Sequence, residues 1–507
     1  MKSLLERWIG LALSLLVFAL PAGATWSIVI VDRRTGEIGV ACATCLTGVG
    51  IRGAVPVMHI GKGVAAAQSF VDVTGQNRAL IFDALGDGVA PADILEALAI
   101  QDGPTGHNTR QYGIVSLLNG DPLTFTGNST FAWAGGVTGT IGEHIQYAIQ
   151  GNILVGEICV DAAEDALVNT PGDLGTRLMA AMVAARETGG DSRCNCSPGC
   201  GVPPPAPFNS SWTAFIGIGR LGDIDSECGA GGCAEGDYYL KRQTIFVPNA
   251  PLPDSVDRLV LRYNTWRNSL VGRPDHYLST VYSPTDDVPF ANGRYRKSYM
   301  ISLVDVDGTP LSTGGASVTI TPAEGSVPFT TDALVDNENG TYTFDFVAGA
   351  LPGIARMEVV VDDGVRPVLL APFAEVEVAP AAVLSRAPAG LGAAVGGTVD
   401  FVIAEPSRAG SAYLLLGSDT GSEPGITMAG VTLGLNPGPA FFCTLNAANS
   451  ELLPNTFGVL DARGRAQCSF VSPPDFLGGL VGAQLDFAAV FFGPLGTTST
   501  VSVAVTP

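Results

Sequence analysis

The sequence predicts an α+β domain over residues 25–270, followed by two all-β domains over 275–379 and 380–507. In the first region, strands are twice interrupted by a pair of helical stretches, whereas helical periodicity vanishes after about residue 275. Glycine and proline supply 64 and 34 of the 507 residues, an excess that suits turn-rich β structure. That composition excludes a helical bundle or a coiled coil.

The charge balance excludes several classes of protein. Lys and Arg number 27 against 48 Asp and Glu, so the net charge is −21. Because binding to phosphate backbones needs basic patches, this acidity argues against a nucleic-acid partner. Charged residues make up 15% and hydrophobic residues 46%, which excludes a disordered acidic chain.

The N-terminus has the pattern of an export signal. Lys2 and Arg7 accompany an apolar run over 8–20, and Ala22-Gly23-Ala24 fits an A-x-A cleavage site. A run of 13 residues is shorter than the roughly 20 that a membrane helix needs. We expect a signal peptide over 1–24, no membrane span, and a protein secreted to the bacterial periplasm or exterior.

Cleavage after Ala24 makes Thr25 the first residue of the mature chain. Either Thr25 is there by chance, or it is an N-terminal nucleophile whose own α-amine, with a pKa near 8, serves as the general base. The second interpretation needs no histidine, and none of the 4 histidines lies in a recognisable triad or metal motif.

A hairpin follows Thr25 at once. Residues 25–31 and 38–44 read as strands, and 32–37 reads as the turn between them. A turn centred between Arg34 and Thr35 places Thr25 opposite Thr44. Further elements of this region alternate in type, with strands at 64–70, 112–118, 144–150, 212–219 and 238–247 and helices at 77–85, 91–100, 161–168, 173–188 and 254–268.

Ten cysteines suit an oxidising compartment. Their spacings around Cys194 and Cys228 do not make a zinc-ligand set, so we predict disulfides and no metal or cofactor. The pairs we expect are Cys228 with Cys233, Cys45 with the region of Cys194, and Cys443 with Cys468.

Beyond residue 275 short strands alternate with turns such as Asp307-Gly308 and Asn339-Gly340. This is typical of a β-sandwich of about 100 residues. Neither of the two later modules carries a clustered acid pair, a Ser-His-Asp set or a calcium loop, which favours a spacer or adhesive role.

The first module resembles the bacterial domain of unknown function 1028 family, which is classed with the N-terminal nucleophile (Ntn) hydrolases. The stretches that carry the likeness are TWSIVIVDRRTGEIGVA at 25–41, GKGVAAAQSFV at 61–71, RQYGIVSL at 110–117, IQGNILVGE at 149–157, TPGDLGTRLMAAMVAARETGGDSRC at 170–194 and PDSVDRLVLRYNTW at 253–266. The resemblance implies that Thr25 is the nucleophile and that the fold is a four-layer αββα sandwich. Many members resembling this one have Ser-Lys where this chain has Thr44-Cys45.

Several residues are candidates for the site around Thr25. Lys62 either replaces the electrostatic role of that lysine or is a solvated loop cation. Gln68 and Asn152 either donate to an oxyanion or satisfy backbone groups in turns. Asp191 either orients the α-amine or belongs to the exit of a helix.

Three further polar residues lie in or next to these stretches. Arg110 and Gln111 lead into a strand and are weaker candidates to face a substrate. Asp32 reads as a turn residue. The candidate catalytic set is therefore Thr25, Thr44, Lys62, Gln68, Asn152 and Asp191.

The second module resembles bacterial Ig-like domains of the invasin and intimin kind, through STVYSPTDDVPFANG at 279–293 and SLVDVDGTPLSTGGASVTI at 302–320. The last module resembles β-rich domains at the ends of secreted bacterial proteins.

Three functions follow from these features. The first is an exported Ntn amidohydrolase that cleaves an amide-containing small molecule or a peptide. The second is a binding or adhesion protein on an Ntn scaffold, directed at a cell-surface or extracellular polymer. The third is a purely structural surface protein.

Overall fold

The computed structural model describes residues 25–46, 50–195, 201–245, 253–285, 289, 291, 296–379, 384–405, 408–493 and 495–507. They form two compact units. The first contains the described residues up to Leu278 together with Asp305–Thr309 and Val368–Pro372, and the second contains the rest. The predicted signal peptide lies outside the described residues.

The first unit mixes strands and helices, as the sequence predicts. Its strands are β1 (Thr25–Asp32), β2 (Glu37–Thr44), β3 (Pro56–His59), β4 (Gly63–Ser69), β5 (Arg110–Ser116), β6 (Leu123–Thr126), β7 (Ala134–Ile141), β8 (Ile145–Asn152), β9 (Thr213–Gly219) and β10 (Leu240–Thr244). Its helices are α1 (Ile51–Ala54), α2 (Gln76–Gly86), α3 (Pro91–His107), α4 (Ile158–Asn169), α5 (Leu174–Glu187) and α6 (Ser255–Asn268).

The strands of this unit form two sheets. One has six strands in the order β10-β9-β2-β1-β8-β7, and the other has four in the order β3-β4-β5-β6. β1 lies at the centre of the larger sheet, and every residue of β1 and β2 is buried. A strand that is covered on both faces reads as a continuous apolar run, which explains the sequence of β1.

Three apolar cores lie on the faces of these sheets. Alternate residues of β1, among them Trp26 and Ile28, pack against α4, α5 and α6. The other alternate residues, Val29 and Val31, pack toward Val64 and Val115 of the smaller sheet. The far face of the smaller sheet packs against α2 and α3.

Local signals fix where the helices begin. The Asp173 carboxylate accepts the N–H of Thr176 at 2.8 Å at the start of α5, and Asp254 accepts the N–H of Val256 at 2.7 Å at the start of α6. Pro91 occupies the first turn of α3, as predicted, because proline has no N–H to leave unbonded there.

The second unit is rich in β structure. Between 279 and 379 its strands are β11 (Thr280–Tyr282), β12 (Arg296–Ser302), β13 (Ser317–Pro322), β14 (Phe329–Asp336), β15 (Thr341–Ala348), β16 (Gly353–Asp362) and β18 (Ala374–Val378). A two-residue strand, β17 (Val368–Leu369), lies in the part of the chain that belongs to the first unit. One sheet has the order β11-β12-β15-β14, and in the other β16 pairs with both β13 and β18.

The remainder of the second unit has its own core. Its elements are β19 (Leu384–Ala387), β20 (Gly390–Gly392), β21 (Gly397–Ala404), β22 (Ala412–Ser418), β23 (Ile426–Met428), β24 (Val431–Leu433), α7 (Pro439–Asn446), β25 (Phe457–Val459), β26 (Arg465–Ser472), a 3₁₀ turn (Gly478–Leu480), β27 (Gln484–Phe492), β28 (Gly496–Thr497) and β29 (Val501–Thr506). Phe401, Phe470 and Phe487 pack together in this core. Across the described residues, no helix is long and apolar enough to cross a membrane.

Candidate functional site at the start of the central strand

Thr25 is the first residue of the central strand and lies between two polar residues. Its partner on β2 is Thr44, as the hairpin predicts, and its partner on β8 is Asn152. Directly opposed residues of antiparallel strands point to the same face of a sheet. Thr25, Thr44 and Asn152 therefore share one face at the end of the sheet.

That face is the one that meets the smaller sheet. Val29 and Val31 lie on it further along β1 and belong to the core between the sheets. Because side chains alternate along a strand, Thr25 and Ser27 occupy the same face as these valines. The space between the sheets is therefore apolar over most of its length and polar at the end where Thr25 lies. We call this the polar end.

Buried amides line the polar end. Gln68 donates through Nε2 to the carbonyl of Thr25 at 3.0 Å and to Oε1 of Gln111 at 2.7 Å. Asn152 donates through Nδ2 to the same Gln111 oxygen at 3.0 Å. Gln68, Gln111 and Asn152 are each at most 1% exposed. This network holds the carbonyl of Thr25 between the two sheets.

Gln111 is the centre of this network. Besides accepting from Gln68 and Asn152, it donates through Nε2 to the carbonyl of Gly151 at 2.8 Å and to Oγ1 of Thr126 at 2.9 Å. The expectation that Gln111 faces a substrate is therefore corrected, because its side chain is 0% exposed and both its amide oxygen and its amide nitrogen bond protein groups.

Three amide oxygens at this end of the face have no hydrogen-bond partner among the described residues. They are Oδ1 of Asn152, Oε1 of Gln68 and Oε1 of Gln150, whose Nε2 donates to Ser27. A buried amide oxygen without a donor costs free energy, so each is an acceptor that a bound group can satisfy. The neighbouring backbone is also unusual, because Ser69 and Ile153 have positive φ angles of 72° and 52° where their strands end.

Asp191 is fully buried and connects to the end of β2. Its carboxylate accepts the N–H of Cys45 at 2.9 Å and pairs with the guanidinium of Arg193 at 2.8 Å. Cys45 directly follows Thr44. Asp191 also forms an isolated β-bridge with Leu154, just beyond Asn152. It therefore touches the continuations of both strands that flank β1.

The disulfides match two of the three predicted pairs. Cys45 is bonded to Cys194, and Cys228 is bonded to Cys233. The prediction of a bond between Cys443 and Cys468 is wrong, because both are free thiols. Cys468 points into the core of its sheet, whereas Cys443 lies exposed on α7. Cys196 and Cys200 lie outside the described residues.

Lys62 is not near Thr25. It lies in the turn between β3 and β4, where its N–H binds the carbonyl of His59 at 3.1 Å. Gln68, which does reach Thr25, is six residues further along β4, about 20 Å away at the rise of an extended strand. The electrostatic role proposed for Lys62 does not fit this separation.

The side chains of Arg110 and Asp32 bond other protein groups. Arg110 pairs with Asp102 at 3.2 Å and binds the carbonyl of Phe70, so its guanidinium is engaged by protein groups and not directed at a substrate as expected. Asp32 is the last residue of β1, paired with Glu37, and not a turn residue as predicted; its carboxylate accepts the N–H of Arg34 at 2.9 Å at the start of the turn.

The buried thiols close to this sheet are not alternative nucleophiles. Burial raises the pKa of the Cys42 thiol far above its ordinary value, and burial likewise raises the pKa of Cys159. Because the thiolate is the reactive form, both cysteines stay protonated and inert. The described residues contain no group of three or more His, Cys, Asp or Glu side chains placed to hold a metal ion.

A cavity of about 370 Å³ lies at the opposite end of β1, where Asp32, Glu37 and Arg220 contribute to its lining. Glu37 and Arg220 form a buried ion pair at 2.6 Å, and burial raises the pKa of Glu37 to about 7 although the nearby Arg220 opposes this. Asp32 is seven positions along β1 from Thr25, which is about 23 Å at the rise of an extended strand. This cavity is therefore distinct from the polar end.

Comparisons with known proteins agree with both resemblances. Residues 25–203 match the model of a family of unknown function, DUF1028, and residues 275–378 match domain 3 of invasin. No curated protein shows significant similarity to the chain. The domain match and the disulfides suggest an extracellular or cell-surface protein.

Solved structures of both kinds are similar to parts of the chain. A DUF1028 protein from Silicibacter pomeroyi is 21% identical over 48% of this chain and 85% of its own, with a TM-score of 0.35. The adhesin InvE from Yersinia pseudotuberculosis is 19% identical over 45% of this chain and 59% of its own, with a TM-score of 0.18. A C-terminal fragment of intimin, solved with the intimin-binding domain of its translocated receptor, is 13% identical over 45% of this chain and 63% of its own, with a TM-score of 0.18.

Proposed function

We propose that this protein is an exported Ntn-type amidohydrolase in which Oγ of Thr25 is the nucleophile. The observation that carries the proposal is the position of Thr25, which begins the central strand between Thr44 and Asn152 at the polar end. Sheets that stack on each other with helices on their outer faces also suit the four-layer αββα fold of that class. In this proposal residues 25–270 form the hydrolase domain, and 275–379 and 380–507 form the trailing β domains.

The reaction begins once signal peptidase has freed the α-amine of Thr25. That amine takes the proton from Oγ, and Oγ attacks the carbonyl carbon of an amide to form a tetrahedral oxyanion. The amine then protonates the leaving nitrogen as the C–N bond breaks, which leaves an acyl ester on Thr25. Water attacks this ester, and Oγ regains its proton as the acid product departs.

The side chains of the polar end have separate roles in this scheme. The NH₂ group of Asn152 has two hydrogens, of which Gln111 accepts one, so the other is available to an oxyanion. Its unpartnered Oδ1 is an acceptor for the α-amine. Gln68 fixes the carbonyl of Thr25, and Thr44 flanks the nucleophile on the other side. Asp191, which is paired with Arg193, positions the end of β2 beside the nucleophile through the N–H of Cys45.

The first experiment determines the mature N-terminus. The protein is purified from an exporting host and analysed by intact mass and N-terminal sequencing. We expect Thr25 with an unmodified amine. A different first residue or a blocked amine would rule out this mechanism.

Activity is then tested with an amide and peptide library. We expect turnover by the mature protein, loss of turnover in Thr25→Ala, and partial retention in Thr25→Ser, since serine keeps the hydroxyl. Equal turnover by Thr25→Ala would show that any observed hydrolysis arises elsewhere.

A second candidate function is adhesion to a cell-surface or extracellular polymer. The observation that favours it is the match of residues 275–378 to domain 3 of invasin. Adhesion does not depend on a free Thr25 amine. We therefore expect the Thr25→Ala protein to bind surfaces as well as the wild type if adhesion alone is the function, with no amide in the library cleaved.

A further inference from the structure

Two phenylalanines lie on the chain segments that leave the polar end. We propose that Phe70 and Phe131, here called the aromatic rim, recognise an uncharged aromatic group on the substrate of Thr25. This inference rests on the proposed hydrolase function and specifies the class of substrate, an amide that carries an aromatic side chain.

The aromatic rim is continuous with the residues that contact Thr25. The carbonyl of Phe131 accepts the N–H of Ile153 at 3.2 Å, and Ile153 directly follows Asn152, the β8 partner of Thr25. Phe70 lies two residues beyond Gln68, which binds the Thr25 carbonyl. Phe70 is therefore two residues from Gln68, and Phe131 is joined by a backbone hydrogen bond to the residue that follows Asn152.

The backbone directs these residues out of the sheets. Ser69 ends β4 with a φ of 72°, and Ile153 follows β8 with a φ of 52°. A left-handed residue at the end of a strand turns the chain away from the sheet direction. Phe70 thus lies beyond the end of β4, and the segment that binds Ile153 lies beyond the end of β8.

The two rings form a pair with an open side. Their centroids are 6.0 Å apart with an interplanar angle of 36°, within the usual range of aromatic pairs. Phe131 is 54% exposed, whereas Phe70 is half-buried. A ring held by one neighbour and open on its other side can take a further aromatic group at the same spacing.

Two charged side chains next to the rim, those of Arg110 and Asp72, are engaged by other protein groups. Arg110 pairs with Asp102 and binds the carbonyl of Phe70. Asp72 accepts the hydroxyl and N–H of Thr74 and the N–H of Asn77. Because neither charge is directed to a ligand, the rim favours an uncharged aromatic group over an anionic or cationic one.

Single exposed apolar residues are common on protein surfaces and need no function. The aromatic rim differs in being a contacting pair at the edge of a buried polar site. The chain also supplies a matched control, because Phe442 on α7 is likewise 54% exposed but lies in the second unit.

The test measures binding without turnover. The full chain carrying Thr25→Ala is titrated with N-acetyl-L-phenylalanine amide and with N-acetyl-L-alanine amide, followed by ligand-observed NMR. We expect the aromatic amide to bind more tightly. Adding Phe131→Ala should weaken its binding about three- to tenfold, as loss of an aromatic contact predicts, and Phe131→Tyr should retain it. Phe442→Ala should leave binding unchanged.

Equal binding of the two amides, or equal weakening by Phe131→Ala and Phe442→Ala, would overturn the inference. Unchanged tryptophan fluorescence of the Phe131→Ala protein would show that it is folded. Retained binding in Phe131→Tyr would show that the position tolerates substitution by another aromatic residue. If the aromatic amide binds through Phe131 but the mature wild type cleaves no amide, the aromatic rim stands and the hydrolase proposal fails. If the mature wild type cleaves amides with no preference for aromatic groups, the hydrolase proposal stands and the inference about the aromatic rim fails.

Discussion

The carboxylate of Asp191 accepts the backbone N–H of Cys45 at 2.9 Å, a contact that spans 146 residues of sequence. The next residue of the same segment, Ser192, donates its N–H and its hydroxyl to the carbonyl of Ile153. Cys45 and Ile153 continue the two strands on either side of β1. The segment 191–194, which the Cys45–Cys194 disulfide also anchors, therefore holds both neighbours of Thr25 in place.

Replacing Asp191 by alanine should destabilise the first unit by about 2–3 kcal/mol. The change removes the acceptor of the Cys45 N–H and one partner of an ion pair, and Asp191 is fully buried. Loss of one partner of a fully buried pair costs about 3–5 kcal/mol, and the value is smaller here because the Arg193 side chain is 30% exposed and can be hydrated. Chemical unfolding followed by tryptophan fluorescence measures this change in unfolding free energy, since every described tryptophan lies in the first unit.

The control is Asp257→Ala. Asp257 pairs with Arg186 at the same 2.8 Å, but the two side chains are 38% and 25% exposed. A pair of this exposure contributes about 0–1 kcal/mol. If the two variants lost the same unfolding free energy, neither the burial of Asp191 nor its contact with Cys45 would add to stability.

Removing the Cys45–Cys194 disulfide should cost more stability than removing the other one. The two bonds join residues 149 and 5 positions apart. Because a cross-link restricts the unfolded chain more when its loop is longer, the entropic stabilisation is about 5 kcal/mol for the first and about 2 kcal/mol for the second. Double serine variants of each pair, unfolded in guanidinium chloride without reductant, make the comparison. A larger loss in Cys228→Ser/Cys233→Ser would contradict the loop-length argument.

The local parts of the first unit could be predicted from the sequence. The hairpin of β1 and β2 has the predicted register because a short turn fixes which residues oppose each other. The helices α4 to α6 follow from apolar periodicity. The sequence does not predict β7, since Gly135, Gly136 and Gly139 lower its strand propensity, nor the four-residue strands β3 and β6.

The candidate site was only partly predictable, because its contacts join distant segments. The sequence singles out Thr25, Gln68 and Asn152 as polar residues in distinctive stretches, yet it does not show that Gln111 connects them. Lys62 is a candidate as a replacement for the lysine that related proteins have at the position of Cys45, but the extended strand β4 separates it from Gln68. The sequence does contain one indication of the role of Gln111, namely a glutamine near the start of an otherwise apolar strand.

Replacing Gln111 by alanine should lower the unfolding free energy of the first unit by about 2–3 kcal/mol. The change removes the acceptor shared by Gln68 and Asn152 and the donor to Gly151, all in a region without exposed surface. Each buried polar group left without a partner costs about 1–3 kcal/mol. Tryptophan fluorescence in urea measures the change.

Gln76→Ala provides the comparison for Gln111. Gln76 is exposed at the start of α2, and surface substitutions of this kind usually change stability by less than about 0.5 kcal/mol. If Gln111→Ala were as mild as Gln76→Ala, the amide network would not be a stabilising element of the polar end.

The first unit also contains a histidine whose burial links stability to pH. His276 is 1% exposed, and its Nδ1 lies 2.6 Å from the carbonyl of Leu369. Burial, with a smaller contribution from the charge of Arg220, lowers the pKa of His276 to about 3 from 6.5. The folded state therefore holds the neutral ring, whereas the unfolded chain binds a proton below about pH 6.5.

Acidification should weaken the first unit through His276. Because the unfolded state binds more protons than the folded state between pH 6.5 and 3, this stabilisation is complete above pH 6.5 and is lost progressively as the pH falls. At 1.36 kcal/mol per pH unit, lowering the pH from 6.5 to 5 should remove about 2 kcal/mol. Urea unfolding at both pH values, compared with His276→Gln, isolates this effect from the carboxylates, since glutamine does not titrate. An identical pH dependence in the two proteins would mean that His276 is not buried in its neutral form.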